Sequence, residues 1–519
     1  MGTAKARWRT GGAGALAVCV AVALSASASS AHQVASAAAA GSSSTWRWPG
    51  ADLSNTRDVQ SKINAKNVST MGLAWSLPIK ASGVFGAYAT TPVVVGGVMY
   101  TQDLASNVFA INPSTGKLLW EHKYNSANTG PDGVTVVNGT VYGTTSSKVF
   151  ALQAATGEQL WTKKIIRNGN EGIDMAPGYH NGTVYVSTVP GNAKAFYAGN
   201  GQAILWAMNA KNGKTKWKWD EVPTNIWGNQ KVNSGGGQWD PPSFDSQGNL
   251  YVGVANPAPF PGTKKFPWGS SRPGSNLYTD SIVKLNAKSG KMMWYYQLTA
   301  HDTSDWDLEN SPILTKGANG KQIVVDGGKA GIVLAVDAST GKLLWKRPVG
   351  VHKGPANIGE IADNNAKSIK APVTIEPGPL GGVESQLASN GKTVFAAIND
   401  LAVKYNGGSI AGSLNFFGGK GELVAINQSN GKILWDHHFK HSSFGAVSLT
   451  NNVAFTTTFD GTLWALNTSN GKVLWHKQLS AWTNTPVTIN GNMVITGGTF
   501  PHEKGETAQI QAFTLTPGG

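Results

Sequence analysis

The chain has 519 residues, a formal charge of +14, 40% hydrophobic residues and one cysteine. One cysteine excludes a disulfide framework, so a chain this long must be held by its sheets. The positive balance would suit a polyanion partner, but six lysines recur at one repeat position (Lys117, Lys214, Lys291, Lys342, Lys432, Lys472). Charge spread in this way lacks the clustering of a nucleic-acid footprint, so no nucleic-acid partner is expected.

Lys5, Arg7 and Arg9 precede an apolar run over 13–26, followed by small residues with cleavage points over 28–40. This reads as a secretion signal over 1–32 and a disordered Ala/Ser-rich leader over 33–44. No twin-arginine pair is present, so the signal is of the Sec type and the protein is secreted, extracellular or periplasmic. No later stretch is apolar enough to span a bilayer, and the remainder, 45–519, reads as one domain.

Within that remainder one pattern occurs seven times: an apolar strand ending in Asn or Asp, a turn, then Gly and, four residues later, Trp. The copies end at Trp120, Trp161, Trp217, Trp294, Trp345, Trp435 and Trp475, with glycines at 116, 157, 213, 290, 341, 431 and 471. Alternating apolar residues around a glycine turn specify a hairpin. Roughly 40 residues per hairpin is the period of a four-stranded propeller blade. Gly72-Leu73-Ala74-Trp75 is a Trp strand without a partner, and residues 508–515 form an inner strand without a Trp. Joined, they complete an eighth blade and remove two exposed edges. The fold class is therefore all-β, an eight-bladed propeller closed by its N- and C-terminal strands. The long intervals before Trp294 and Trp435 are read as single blades with long loops.

The repeats and the opening stretch from Trp48 to Trp75 resemble the pyrroloquinoline quinone (PQQ)-dependent alcohol dehydrogenases, the methanol-dehydrogenase type of quinoprotein. The resemblance runs to about residue 515 and is most specific in the middle. There stand Gly235-Gly236-Gly237-Gln238-Trp239, then Asn256-Pro257-Ala258-Pro259 and Asn276-Leu277-Tyr278-Thr279-Asp280-Ser281. His301-Asp302-Thr303-Ser304-Asp305-Trp306-Asp307 completes the family order. By this resemblance Trp239 is the aromatic floor beneath the quinone, Asn256 a metal ligand and Asp305 the catalytic base as well as a ligand. Asp307 occupies the extra carboxylate position of lanthanide-using members, and Lys329 is the cation on the quinone oxygens. The implied cofactors are PQQ with Ca²⁺ or a lanthanide. Oxygen donors suit such hard cations.

Strand order places these residues on one face. Asn256 and Lys329 follow second strands, Asp305 follows an outer strand and Trp239 begins an inner one, so all are expected at one central funnel. Glu384, where another inner strand begins, is expected to line it as a cofactor contact. Several family positions differ. Val189 to Lys194 lacks the metal-ligating Glu, Gly130-Pro131-Asp132-Gly133 lacks an Arg, and the vicinal disulfide over the quinone cannot form. The expected function is an exported quinoprotein oxidising a small-molecule alcohol and passing electrons to an external protein or diffusible acceptor. The alternative is a non-catalytic propeller that binds a protein or glycan at the cell surface.

Overall fold

The computed structural model describes residues 46–191, 201–223, 227–355, 358–412 and 415–516. The expected signal and leader lie outside the described residues. Eight four-stranded antiparallel sheets form the blades of a propeller. Blade 1 runs from Val93–Val95 to Leu118–His122 and blade 2 from Thr135–Val137 to Gln159–Lys164. Blade 3 spans Gly178–His180 to Thr215–Asp220, blade 4 Ser243–Phe244 to Met292–Gln297, and blade 5 Ile313–Lys316 to Leu343–Pro348. Blade 6 spans Ala388–Ser389 to Ile433–Phe439 and blade 7 Ser448–Thr450 to Val473–Gln478. Blade 8 joins Thr488–Asn490, Met493–Gly498 and Gln509–Leu515 to the N-terminal strand Met71–Pro78. Both long intervals are single blades, as the sequence predicts.

The repeated Trp docks on the repeated Gly of the following blade. A Cβ on Gly116 would stand 2.6 Å from the Trp75 ring, and one on Gly431 2.6 Å from Trp345. These glycines also have left-handed φ, 69° and 70°, so two constraints select the same residue. Each docked indole donates Nε1–H to a carbonyl of the neighbouring hairpin, as Trp120 does to Ala154 at 2.9 Å. The Trp strand carries a bulge at one fixed place, between the partners of Ala110 and Ile111 in blade 1 and of Ala465 and Leu466 in blade 7. An alanine pairs with the Trp at this point in every blade except blade 4, where Lys284 pairs with Trp294. Cores lie between blades, for example Val98, Val108 and Trp120 of blade 1 against Val141 and Phe150 of blade 2.

The segment before the first strand has a role that its sequence does not announce. It crosses the inner strands of five blades, accepting N–H bonds from Val94, Phe244, Leu314, Ser389 and Leu449 on the carbonyls of Trp46, Leu53, Ser54, Thr56 and Arg57. Arg57 is completely buried there. Its guanidinium donates to the carbonyls of Val447 (2.7 Å) and Pro49 (3.1 Å), to Gln386 Oε1 (2.5 Å) and to Ser448 Oγ (3.0 Å). The Trp46 ring lies 5.0 Å away. Among the described residues no helix is long and apolar enough to cross a membrane.

Candidate active site

Four loops on one face are laced together by backbone. The loop after the second strand of blade 4 carries Asn256, and the loop leaving that blade carries Asp305, Asp307 and Glu309. The loop after Gln322–Gly328 carries Lys329, and Glu384 stands four residues before Ala388–Ser389. Lys329 N–H donates to the Asp307 carbonyl at 3.0 Å, and Val383 N–H to the Gly328 carbonyl at 3.1 Å. Packing is too close for side chains at two points: a Cβ on Gly328 would meet the Asp307 oxygen at 2.1 Å, and one on Gly253 the Leu308 oxygen at 2.2 Å. The Asp302 carboxylate accepts from Ser304 N–H (2.7 Å) and Trp306 N–H (2.8 Å), folding a tight loop. Asp305, between them, is driven to φ 65°, an uncommon conformation for a non-glycine residue.

Trp239, Asp305, Glu309, Lys329 and Glu384 line one cavity of about 200 Å³. Lys329 Nζ lies 2.5 Å from Asp307 Oδ2, 3.5 Å from Asp305 Oδ2 and 3.8 Å from Glu384 Oε2. Burial alone would lower its pKa, but four carboxylates outweigh burial and hold it well above the usual lysine value. Burial pushes Asp305 well above the carboxylate range against the pull of Lys329. It raises Glu384 to about 7, again opposed by Lys329, and pushes Glu309 well up. One ammonium is thus shared among four acids in a low-dielectric setting, which favours a further cation or protonation.

Three of the residues that the sequence assigns to the quinone, Trp239, Lys329 and Glu384, meet Asp305 in this cavity. Asn256 and Asp307 stand behind it, both fully buried, with Asn256 N–H donating to Asp307 Oδ1 at 2.6 Å. Asn256 Oδ1, Asp305 Oδ1 and Glu309 Oε2 are buried without a hydrogen-bond partner. Unsatisfied oxygen acceptors beside excess negative charge are the type of donor that a hard cation takes. The Trp239 indole, at the wall of the same cavity, fits a planar ring system. The tightest three-residue grouping of carboxylates and histidine among the described residues lies elsewhere, at Glu422, Asp436 and His438. His438 Nδ1, 3.2 Å from Glu422, already partners that acid.

Sequence reasoning missed two acids. Glu309 continues the alternation of Asp305 and Asp307, a signal that was present in the chain. Asp132, noted only for lacking an Arg, lines the cavity with Oδ2 unpartnered. Its Oδ1 accepts from Asn128 Nδ2 at 2.7 Å. The replacement for the absent Glu after Val189 falls partly in 192–200, outside the described residues.

A family profile for the β-propeller domain of glucose/ethanol/alcohol dehydrogenases that use PQQ matches residues 46–134 and 167–363. The chain belongs to the PQQ dehydrogenase family. A second profile, that of the outer-membrane protein assembly factor BamB, matches residues 381–511, the later repeats. A quinohemoprotein alcohol dehydrogenase of Comamonas testosteroni is 28% identical over 490 residues, 80% of this chain and 67% of that protein. The alignment with quinohemoprotein ADH-IIG of Pseudomonas putida covers only 42% of that protein. A putative dehydrogenase, XoxF, of Paracoccus denitrificans is 25% identical over 80% of both chains. In fold, the C. testosteroni crystal structure superposes with TM-score 0.78 at 24% identity, covering 94% of this chain and 84% of that one. A europium-containing methanol dehydrogenase gives 0.76 at 20% identity, covering 91% and 98%. As a PQQ-dehydrogenase family member, the protein is an oxidoreductase of the alcohol dehydrogenase type.

Proposed function

We propose that this family member is an exported quinoprotein that oxidises a small-molecule alcohol in the cavity of Trp239, Asp305 and Lys329, with Asp305 as base. The observation that carries this reading is the convergence of an aromatic plate, a buried ammonium and an unsatisfied carboxylate on one cavity. Bound PQQ supplies a two-electron acceptor there, and Ca²⁺ or a lanthanide supplies Lewis acidity.

The chain's own residues do the rest. Asp305 Oδ1, held by a strained backbone and free of any donor, takes the alcohol proton. Lys329 fixes the opposite oxygen of Asp305 and presents positive charge to quinone oxygens, while Trp239 offers a ring face. Asn256, Asp305 and Asp307 are the residues proposed to hold the metal, and Glu384 lies beside Lys329 as a cofactor contact. The Arg57 segment, with Pro49 and Gln386 lining the cavity, excludes water from one side. Electrons leave to an external protein or diffusible acceptor. The signal over 1–32 accounts for export to a secreted or periplasmic location, and 45–519 forms the mature propeller.

The test is incubation of purified protein with PQQ and Ca²⁺ or a lanthanide, followed by absorbance, metal analysis and alcohol-dependent dye reduction. Stoichiometric quinone and metal are expected. Asp305→Asn should lower turnover by about 10²–10⁴-fold with binding retained, the usual loss for a general base. Absence of both quinone binding and dye reduction would overturn the proposal.

A further inference from the structure

The ring is divided chemically. In blades 4 to 6 the positions just after second strands and four residues before first strands hold Asn256, Lys329, Trp239 and Glu384. In blades 7 and 8 the same positions hold Phe459 and Phe500 after second strands and Phe444 four residues before Ser448–Thr450, with Asn484, its Oδ1 unpartnered, as the one polar exception before Thr488–Asn490. Phe85 of the segment leading into blade 1 and Phe416 of the long blade 6 loop complete the arc, and all five line the cavity that contains Asp305.

These phenyl groups form one connected wall. Phe459 packs on Phe444 at 5.2 Å and on Phe500 at 5.3 Å between ring centroids, and Phe85 meets Phe416 at 6.1 Å. Phe459 and Phe444 are buried, whereas Phe85, Phe416 and Phe500 are half-buried. The wall therefore runs from solvent toward the acidic interior. Adjacent Phe417 stacks on His502 at 4.1 Å and meets Trp482 at 5.3 Å, anchoring the blade 6 loop to blade 8.

We infer that this phenylalanine wall selects alcohols with a bulky apolar body, aryl or alkyl, over polyols and sugars. The inference rests on the proposed alcohol oxidation at Asp305. A hydroxyl pressed against phenyl faces loses its water partners without replacement, so each additional hydroxyl is penalised. A methylene or phenyl group gains from burial, about fourfold in binding per methylene. A substrate whose only polar atom is the reacting hydroxyl satisfies both ends of the cavity.

Two measurements separate the inference from the reading beneath it. The first is calorimetric binding of benzyl alcohol, 1-hexanol and glycerol to the protein without cofactor. The second is dye reduction by the PQQ- and metal-loaded protein with ethanol, 1-butanol, 1-hexanol, benzyl alcohol and glycerol. Expected are tighter binding of benzyl alcohol than of glycerol, and kcat/KM rising about fourfold per methylene until the cavity is filled. Half-buried Phe500→Ser and Phe416→Ser should each lower the hexanol-to-glycerol ratio at least tenfold. Should buried Phe459→Ser fail to fold, these two variants still decide. Glycerol equal to or better than benzyl alcohol in binding overturns the inference, as do unchanged ratios in both variants. Loss of turnover with every alcohol while benzyl alcohol still binds selectively overturns the oxidation reading and leaves the wall's preference standing.

Discussion

Lys329 is the residue on which the cavity's electrostatics turn. Its side chain is 7% exposed and meets Asp305, Asp307 and Glu384. Lys329→Ala leaves Asp307 with a single backbone donor and the other acids without compensation, and breaking a buried charge set costs roughly 3–5 kcal/mol. Urea unfolding should show that loss, with added Ca²⁺ or lanthanide recovering part of it. Asp305 makes a pH prediction. Burial raises its pKa, so the ionised form that accepts a proton is depleted at acid pH, and kcat/KM should rise with pH. A bound cation favours the ionised form and should move that rise to lower pH. The candidate residues Trp239, Asp305 and Lys329 were legible because the motif order is dense in the middle of the chain. Asp132 and the phenylalanines were not, since single residues scattered over loops carry no spacing signal.

At the scale of the blade, the strand–turn–strand hairpin was legible: glycine and Trp recur at fixed intervals because each blade must bury the same indole on its neighbour. The bulge opposite the alanine emerged only in the structure. Two glycines separate backbone strain from packing. Gly116 and Gly139 both have left-handed φ, 69° and 75°, but only Gly116 faces a ring, and nothing lies within 4 Å of a Cβ at Gly139. Gly139→Ala should cost about 1–2 kcal/mol from left-handed backbone alone. Gly116→Ala adds a collision with Trp75 and should cost about 2–4 kcal/mol, overpacking included. Trp120→Ala, which removes a docked and buried indole, should cost roughly 3–5 kcal/mol. Equal melting temperatures for the two glycine variants would refute docking as the reason for the repeat.

At the scale of the whole molecule, buried aspartates and glutamates outnumber buried lysines and arginines among the described residues. Glu221 and Asp174 are raised to about 7 and Asp240 to about 6, each chiefly by burial. A carboxyl with a folded-state pKa above its unfolded value binds its proton more tightly when folded. Its stabilisation is complete below the unfolded pKa, near 4, and is lost as pH rises through 6 to 7. Denaturation midpoints of the metal-free protein should therefore fall between pH 5 and pH 8. A cation bound at Asp305 and Asp307 should raise the midpoint more at pH 8 than at pH 5. A midpoint that climbs with pH in the metal-free protein would contradict this account of the interior.

The amino-acid sequence by itself determined the blade, its number and its closure, because those depend on local alternation, turn glycines and one indole repeated at a regular interval. It also determined which loops face the funnel, since strand order dictates the side on which each loop emerges. Only the tertiary structure decided that residues 46–59 cross the ring and bury Arg57 beneath the cavity, that Asn256 and Asp307 stand behind the lining, and that Phe85, Phe416, Phe444, Phe459 and Phe500 share one cavity with Asp132, Asp305, Glu309 and Glu384. Those contacts join residues hundreds of positions apart, and no local periodicity encodes a meeting that exists only once the ring has closed.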